Sequence, residues 1–392
     1  MPLANDLAAD RTAAAAQERF PLTLAFCPHC SLVQLRETVD PERLFRDYVY
    51  LSSNSTSFVA HAGSLAKRLI GSHELGTDSH VVEIASNDGY LLQHYATAGI
   101  PVLGIEPAQN VAAIARGRGI ETVSEFFSAD LAERLAAAGR KADILHANNM
   151  LAHVASLTNV IAGISTILKP SGVAIVEAPY LFDFLHRLEF DTVYHEHLCY
   201  FALTPLVRVF ADAGLQVFEV ERLQVHGGSL RLFIRHRRSA SVNPLHSVRD
   251  LLEQEQRLGV GDIATYRRFA ERIVAFRPTL RQFVLELRAR GHSIAAYGAS
   301  AKGATLLNYC NVGADLIDFV ADLSPLKRGR VMPGMGIPIV APSELLARRP
   351  DYVVLLAWNF ADEIARQQAE YLQLGGRFVV PIPRPHVIGD DH

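Results

Sequence analysis

The chain is poor in cysteine, with four in 392 residues, so a disulfide framework is excluded. It has no Lys/Arg-rich run and no basic stripe interleaved with aromatics, and its formal net charge is −3. A nucleic acid is therefore not an expected partner. No apolar stretch approaches the roughly 20 residues of a membrane span, and the N-terminus lacks the charged and apolar regions of a signal peptide. The expectation is a cytoplasmic protein with no membrane contact. Also absent is the G-x-G-x-x-G dinucleotide fingerprint, which argues against a nicotinamide cofactor. No internal repeat is visible. A chain of this length should hold two or three domains, each with its own core.

What is present begins with Val82–Leu92, V-E-I-A-S-N-D-G-Y-L-L. An apolar run carries an acid, Glu83, and continues through Ala85 into a polar turn with Asn87, Asp88 and Gly89. A helical pattern then resumes. Such a strand, loop and helix open an α/β nucleotide-binding unit, where the backbone passes close to a ligand and glycine permits it. The segment resembles the first motif of class I S-adenosylmethionine (SAM) methyltransferases, with Glu83 as the strand-end acid. Val102–Pro107, V-L-G-I-E-P, reads as a second strand ending in Glu106 and Pro107. It lies about 20 residues on, the separation at which a carboxylate reaches a ribose diol. SAM is the leading cofactor reading; another nucleotide is the alternative.

Alternation predicts strands at 81–84, 102–105, near 120–123, at 143–148 and at 173–177, with a longer β segment near 216–236. A helix should stop at Ile167-Leu168-Lys169-Pro170-Ser171-Gly172. Residues 244–290 carry Glu, Arg and Leu at helical spacing, and a second α/β unit opens at Ser293–Ala299. Near the N-terminus, Cys27-Pro28-His29-Cys30 lies between two β-like stretches, Leu22–Phe26 and Leu32–Leu35, the shape of half a zinc knuckle. The fold class is α/β: a partial zinc-knuckle-like module with its lead-in helix over 1–70 and a class I SAM methyltransferase domain over 71–243. A helical connector over 244–290 leads to a C-terminal Rossmann-like domain over 291–392.

The densest titratable cluster is Phe190–Tyr200, F-D-T-V-Y-H-E-H-L-C-Y, just after the fifth strand. Tyr194, His195, Glu196 and His197 therefore fall over the carboxyl ends of the strands, where the methyl donor would bind. Two or three of them can reach a substrate while the rest orient or pack. Two other readings compete: polar loop residues in local hydrogen bonds, and H-x-H as a zinc site, for which no third and fourth ligands stand nearby. A histidine beside a carboxylate is made more basic and fixed in tautomer. Carbon methylation needs such a base, whereas O- or N-methylation often does not. Further candidates are Tyr48 and Ser52 in Y-V-Y-L-S-S, and His226, Ser229 and Arg231 in H-G-G-S-L-R. The glycine pair of the second segment is equally the mark of a β-bulge. Lys302, in Y-G-A-S-A-K-G, stands at a strand-to-helix turn suited to phosphate. Cys199 and Cys310 read as small buried hydrophobes.

Taken together, Y-V-Y-L-S-S-N-S-T-S, E-I-A-S-N-D-G-Y-L-L, A-N-N-M-L-A-H-V, F-D-T-V-Y-H-E-H-L-C-Y-F, V-H-G-G-S-L-R and Y-G-A-S-A-K-G closely resemble the SAM-dependent C-methyltransferases of deoxysugar biosynthesis. The resemblance spans almost the whole chain. It implies a nucleotide-linked 4-keto-6-deoxy sugar as substrate, with dTDP expected, bound between the SAM and C-terminal domains. It implies removal of the C3 proton and methylation of the enolate. His197 resembles the base, Glu196 its neighbour, and Tyr194 and Tyr48 the tyrosines near the ketone. Asn87, Asp88, Gly89, Glu106 and the Asn148-Asn149 pair resemble SAM contacts. Members of this family carry two C-x-x-C pairs. Here Cys27 and Cys30 make half a site, so no tightly held zinc is expected; either the other pair lies upstream of this sequence or the metal has been lost. The alternatives are an O- or N-methyltransferase and a nucleotide-sensing binding protein.

Overall fold

A computed structural model of the chain describes residues 1–45, 48, 50–239 and 243–388. Two short strands, β1 (Leu24–Phe26) and β2 (Val33–Leu35), pair antiparallel around the C-x-x-C turn. After helix Thr56–Ser72, capped by the Ser55 side chain, the chain alternates as its apolar runs predict. The parallel strands are β3 (Val81–Ile84), β4 (Val102–Ile105), β5 (Thr122–Val123), β6 (Ala142–Asn148) and β7 (Leu168–Pro179). The next strand, β8 (Cys199–Tyr200), leaves this sheet and pairs antiparallel with β2. The long β segment near 216–236 is a hairpin of β9 (Leu215–Leu223) and β10 (Ser229–His236), which completes the order β5-β4-β3-β6-β7-β10-β9.

The K-P-S-G segment departs from expectation. The helix ends at Ile167, but Lys169–Gly172 does not form a separate loop. It sits inside β7 as an irregularity, where the register with β6 passes from Ala142↔Leu168 to Ile144↔Val173. Such an insertion lets Pro170 sit in a strand without breaking the ladder.

Helices His246–Leu258 and Ile263–Ala289 lead to the second sheet. Its strands are β11 (Ile294–Tyr297), β12 (Val320–Ala321), β13 (Ile339–Val340), β14 (Tyr352–Leu355), β15 (Arg377–Val380) and β16 (His386–Ile388), in the order β13-β12-β11-β14-β15-β16. All pair parallel except β16.

Strand parity decides what the central sheet buries. Val82 and Ile84 pack with Leu131, Val160 and Ile164 on one face. Val81, Ile144, Ile175 and Phe233 pack with Phe58, Leu65 and Leu69 of helix Thr56–Ser72 on the other. Side chains alternate faces along a strand, so Glu83, His146, Glu177 and Arg231 fall on this second face. The first twenty residues, which carry no strand pattern, form an arm against the C-terminal unit. Ala8 exchanges backbone hydrogen bonds with Val331, and the Gln17 side chain accepts from the Gly334 amide at 2.9 Å. No described helix is long and apolar enough to cross a membrane.

Candidate active site

A cavity of about 600 Å³ opens at the carboxyl ends of β3, β4 and β6, where open α/β sheets bind ligands. Ala85, Asn87, Glu106, Pro107, Asn148 and Asn149 border it from the sheet. Tyr48 and Ser52 border it from the loop before helix Thr56–Ser72, and Tyr194, His195, Glu196 and His197 from the segment after β7. Lys302 faces it from the second unit.

On the sheet side, Ala85, Asn87 and Asn149 hold φ of 55°, 50° and 54°. This left-handed region is unfavourable for residues with a Cβ, least so for Asn, and persists where the surrounding structure fixes the backbone. The Asn87 amide donates to Glu106 Oε2 at 2.9 Å, and the Ala108 amide donates to Oε1 at 2.9 Å. The Ser52 amide donates to Asn87 Oδ1 at 2.9 Å, which holds the loop before helix Thr56–Ser72 against the loop after β3. Burial pushes the Glu106 carboxyl up, and the two amides partly offset this. Asn148 Oδ1 and Asn149 Oδ1 are buried without a hydrogen-bond partner among the described residues. Unpaired buried acceptors beside an oriented carboxylate fit a ligand rich in hydroxyl and ammonium donors, as SAM is. Glu106→Ala should weaken SAM binding by roughly 1.5–3 kcal/mol through loss of a charge-assisted hydrogen bond. Calorimetry checks this, and an unchanged dissociation constant would exclude Glu106 from the cofactor site.

Three residues expected to touch the cofactor point elsewhere. Glu83 lies on the opposite face of β3 beside Tyr90, where burial and then Glu106 push its carboxyl well above the usual range. Asp88 is wholly buried, accepts from the Ser53 hydroxyl and pairs with Arg118 at 3.1 Å. Gly89, at φ 80°, turns towards Ile120, whose Cγ1 would lie 3.0 Å from an added Cβ. Its glycine is required by the turn and by close packing.

The Tyr194–His197 segment is held from several sides. His197 Nδ1 donates to the Thr192 carbonyl at 3.0 Å. A carbonyl only accepts, so the neutral ring carries its proton on Nδ1, and Nε2 accepts from the Tyr194 hydroxyl at 2.7 Å. The His195 ring bonds the Pro21 carbonyl at 3.0 Å and sits edge-on to Phe20. It borders the cavity as an anchor. Glu196 is 4% exposed, and burial pushes its carboxyl up to about 7. His153, which sequence reasoning left without a role, packs edge-on against His197 with centroids 4.9 Å apart. Burial brings it down to about 4. Its signal lay in A-N-N-M-L-A-H-V, four residues past Asn149. Among the described residues, no group of three or more His, Cys, Asp or Glu is arranged to hold a metal. Cys27 and Cys30 are half-buried thiols in the β1–β2 turn, distant in role from this cavity, and Cys199 and Cys310 are buried.

Among the described residues of the H-G-G-S-L-R motif, none borders the cavity. Ser229 is buried and donates to the Val225 carbonyl at 3.1 Å. Arg231 donates to Glu177 at 2.6 Å and to Glu221 at 2.9 Å, beneath helix Thr56–Ser72. The His226 side chain lies outside the described residues. Gly228, at φ 131°, has no room for a Cβ against Asp183, so the glycine pair closes a turn between strands and is not a bulge. Lys302 stands in the first turn of helix Ala301–Cys310, which the Ser300 hydroxyl caps. Its Nζ is buried without a hydrogen-bond partner among the described residues, 5.2 Å from the Trp358 ring centroid. Trp358 donates to Asp191 at 2.7 Å, which ties the two α/β units together beside the cavity.

Comparison with known proteins matches three family models in succession. They are "Putative zinc binding domain" over residues 1–45, "Methyltransferase domain" over 60–220 and "C-methyltransferase C-terminal domain" over 224–383. The C-methyltransferase NovU of Streptomyces niveus is 38% identical over 391 residues, covering 99% of this chain and 92% of NovU. A ubiquinone biosynthesis O-methyltransferase of Burkholderia pseudomallei is 28% identical over 174 residues, 40% of this chain and 73% of that enzyme. Among solved structures, magnesium protoporphyrin IX methyltransferase of Synechocystis PCC 6803 with bound SAH matches at 16% identity. It covers 45% of this chain and 83% of its own, with a TM-score of 0.37. The full-length match to NovU, together with the successive methyltransferase models, shows that this chain belongs to the SAM-dependent C-methyltransferases.

Proposed function

We propose that the acceptor is C3 of a nucleotide-linked 4-keto-6-deoxy sugar, with dTDP as the nucleotide, and that a base removes the C3 proton before methyl transfer. The Tyr194–His197 pair carries this reading. A histidine with its tautomer set by Thr192 presents its basic nitrogen, 2.7 Å from a phenol, to the cavity that Glu106, Asn148 and Asn149 also border. A proton next to a ketone is removed readily only when a base acts together with a donor to the developing oxyanion. In this reading His197 Nε2 takes the C3 proton, and the C3–H electron pair becomes the C3–C4 double bond. The negative charge gathers on the C4 oxygen, which receives the Tyr194 hydroxyl as a hydrogen-bond donor, with Tyr48 alongside. When bound, SAM would supply an electrophilic methyl carbon to C3, its sulfur departing as a neutral thioether. The ketone is restored, and His197 loses its proton to solvent.

Lys302 supports a diphosphate-bearing acceptor. A buried ammonium without a hydrogen-bond partner among the described residues, at the start of a helix, suits a doubly charged oxyanion. Ser52 borders the same space. The test is an incubation with SAM and a dTDP-4-keto-6-deoxy sugar, followed by product NMR. A new methyl resonance at C3 is expected. A methyl on oxygen or on C5, or no transfer, would overturn the proposal.

A further inference from the structure

The N-terminal arm reaches the catalytic segment directly. Asn5 Nδ2 donates to Glu196 Oε1 at 2.7 Å, and Asn5 borders the cavity. The arm is fixed on both sides of this residue. Leu3 and Ala4 are buried, the Leu3 carbonyl accepts from the Asp6 amide at 3.2 Å, and Ala8 is bridged to Val331. The Asn5 amide is therefore delivered by a braced backbone to an oxygen of a buried carboxyl. We infer that Asn5 is a positioning residue for catalysis, whose side-chain amide, presented by an arm anchored on the C-terminal unit, fixes the Glu196 carboxylate within the active site.

An amide donor on a buried carboxylate orients it and favours its anion. Four segments among the described residues present side chains to Glu196. Asn5 comes from the arm, Tyr48 from the loop before helix Thr56–Ser72, Lys327 from the C-terminal unit, and Tyr194 from its own segment, while the His153 ring bonds the Glu196 carbonyl. Burial raises this carboxyl, and Asn5 is the first of the groups that pull it back, before Tyr48 and Lys327. An ionised Glu196 in this space stabilises the imidazolium formed when the adjacent His197 accepts a proton. Losing the Asn5 amide raises the carboxyl further, so a smaller fraction is ionised at neutral pH. The acid limb of the turnover profile then moves to higher pH.

The kinetic half of this inference rests on the proposed sugar chemistry; the titration half does not. The test uses the full chain with Asn5→Ala and Asn5→Asp. Glu196 is titrated by difference infrared spectroscopy without substrate, with Glu196→Gln as the subtracted blank. The midpoint should rise by about one pH unit in Asn5→Ala. It should rise further in Asn5→Asp, which keeps the shape and sets a second carboxyl against the first. Turnover of Asn5→Ala at pH 7 should fall about fivefold, as the ionised fraction of a carboxyl near 7 does when its midpoint rises one unit, and recover at alkaline pH, with the KM for SAM close to wild type. An unchanged midpoint and pH profile in folded variants would overturn the inference. Failure of both variants to fold would also overturn it, by assigning Asn5 to stability. A wild-type enzyme inactive on the sugar would defeat the acceptor proposal alone, because the infrared midpoint still reads the Asn5 contact.

Discussion

His197→Asn should lower turnover by roughly 10²–10⁴ while SAM affinity stays close to wild type. Asparagine can still donate to the Thr192 carbonyl that now accepts from Nδ1, so the segment keeps an anchor while losing its basic nitrogen. The residues proposed to hold the cofactor, Glu106, Asn87 and the Asn148-Asn149 pair, border the cavity from the sheet side. Single-turnover rates and calorimetry would separate the two effects. With the proposed sugar acceptor, exchange of its C3 proton with deuterated solvent should vanish in parallel, because exchange needs the base and not the methyl donor. Wild-type turnover in this variant would remove His197 from the mechanism.

Arg231→Leu should have the largest effect on stability, about 3–5 kcal/mol. Glu177, 1% exposed, accepts from Arg231 at 2.6 Å and lies 3.2 Å from the His61 ring. Burial pushes the Glu177 carboxyl up, but His61 and Arg231 outweigh it and hold it below the usual range. Removing the guanidinium leaves that charge under helix Thr56–Ser72 with His61 alone, while Glu221 keeps its pair with Arg68. Urea unfolding measures the cost. The KM for the proposed sugar-nucleotide acceptor should not change in whatever fraction folds. A fully stable variant with a raised KM would return Arg231 to the substrate site that its motif suggested.

The contrast between these two residues shows what could be read from the sequence. The strand positions followed from apolar periodicity. So did the placement of Y-H-E-H over the strand ends, because a class I sheet puts its ligand there. Individual side chains were legible only where their direction was forced. Glu106 leaves β4 at its end and must meet the loop after β3. Glu83 and Arg231 lie within strands, where a shift of one residue changes the face. They share parity with Val81 and Phe233, which pack on helix Thr56–Ser72, so both are buried behind the cavity. Asp88 was misread for a different reason: its partners, Ser53 and Arg118, lie 35 and 30 positions away. Asn5 and His153 were missed because nothing local marks them. Asn5 acts across 191 residues of chain, and His153 matters through the ring it touches.

The pairing of β8 with β2 bears on how this enzyme could be rebuilt. The strand that follows Tyr194–His197 belongs to a three-stranded sheet whose other members come from the first 35 residues. The Leu35 amide bonds the Leu198 carbonyl at 2.8 Å. A chimera cut at the start of the methyltransferase sheet would thus carry that sheet intact and leave the 190–200 segment without its scaffold. Acceptor specificity in this architecture is not a portable cassette: the N-terminal module and the 190–200 segment form one exchangeable part, and recombination should move them together.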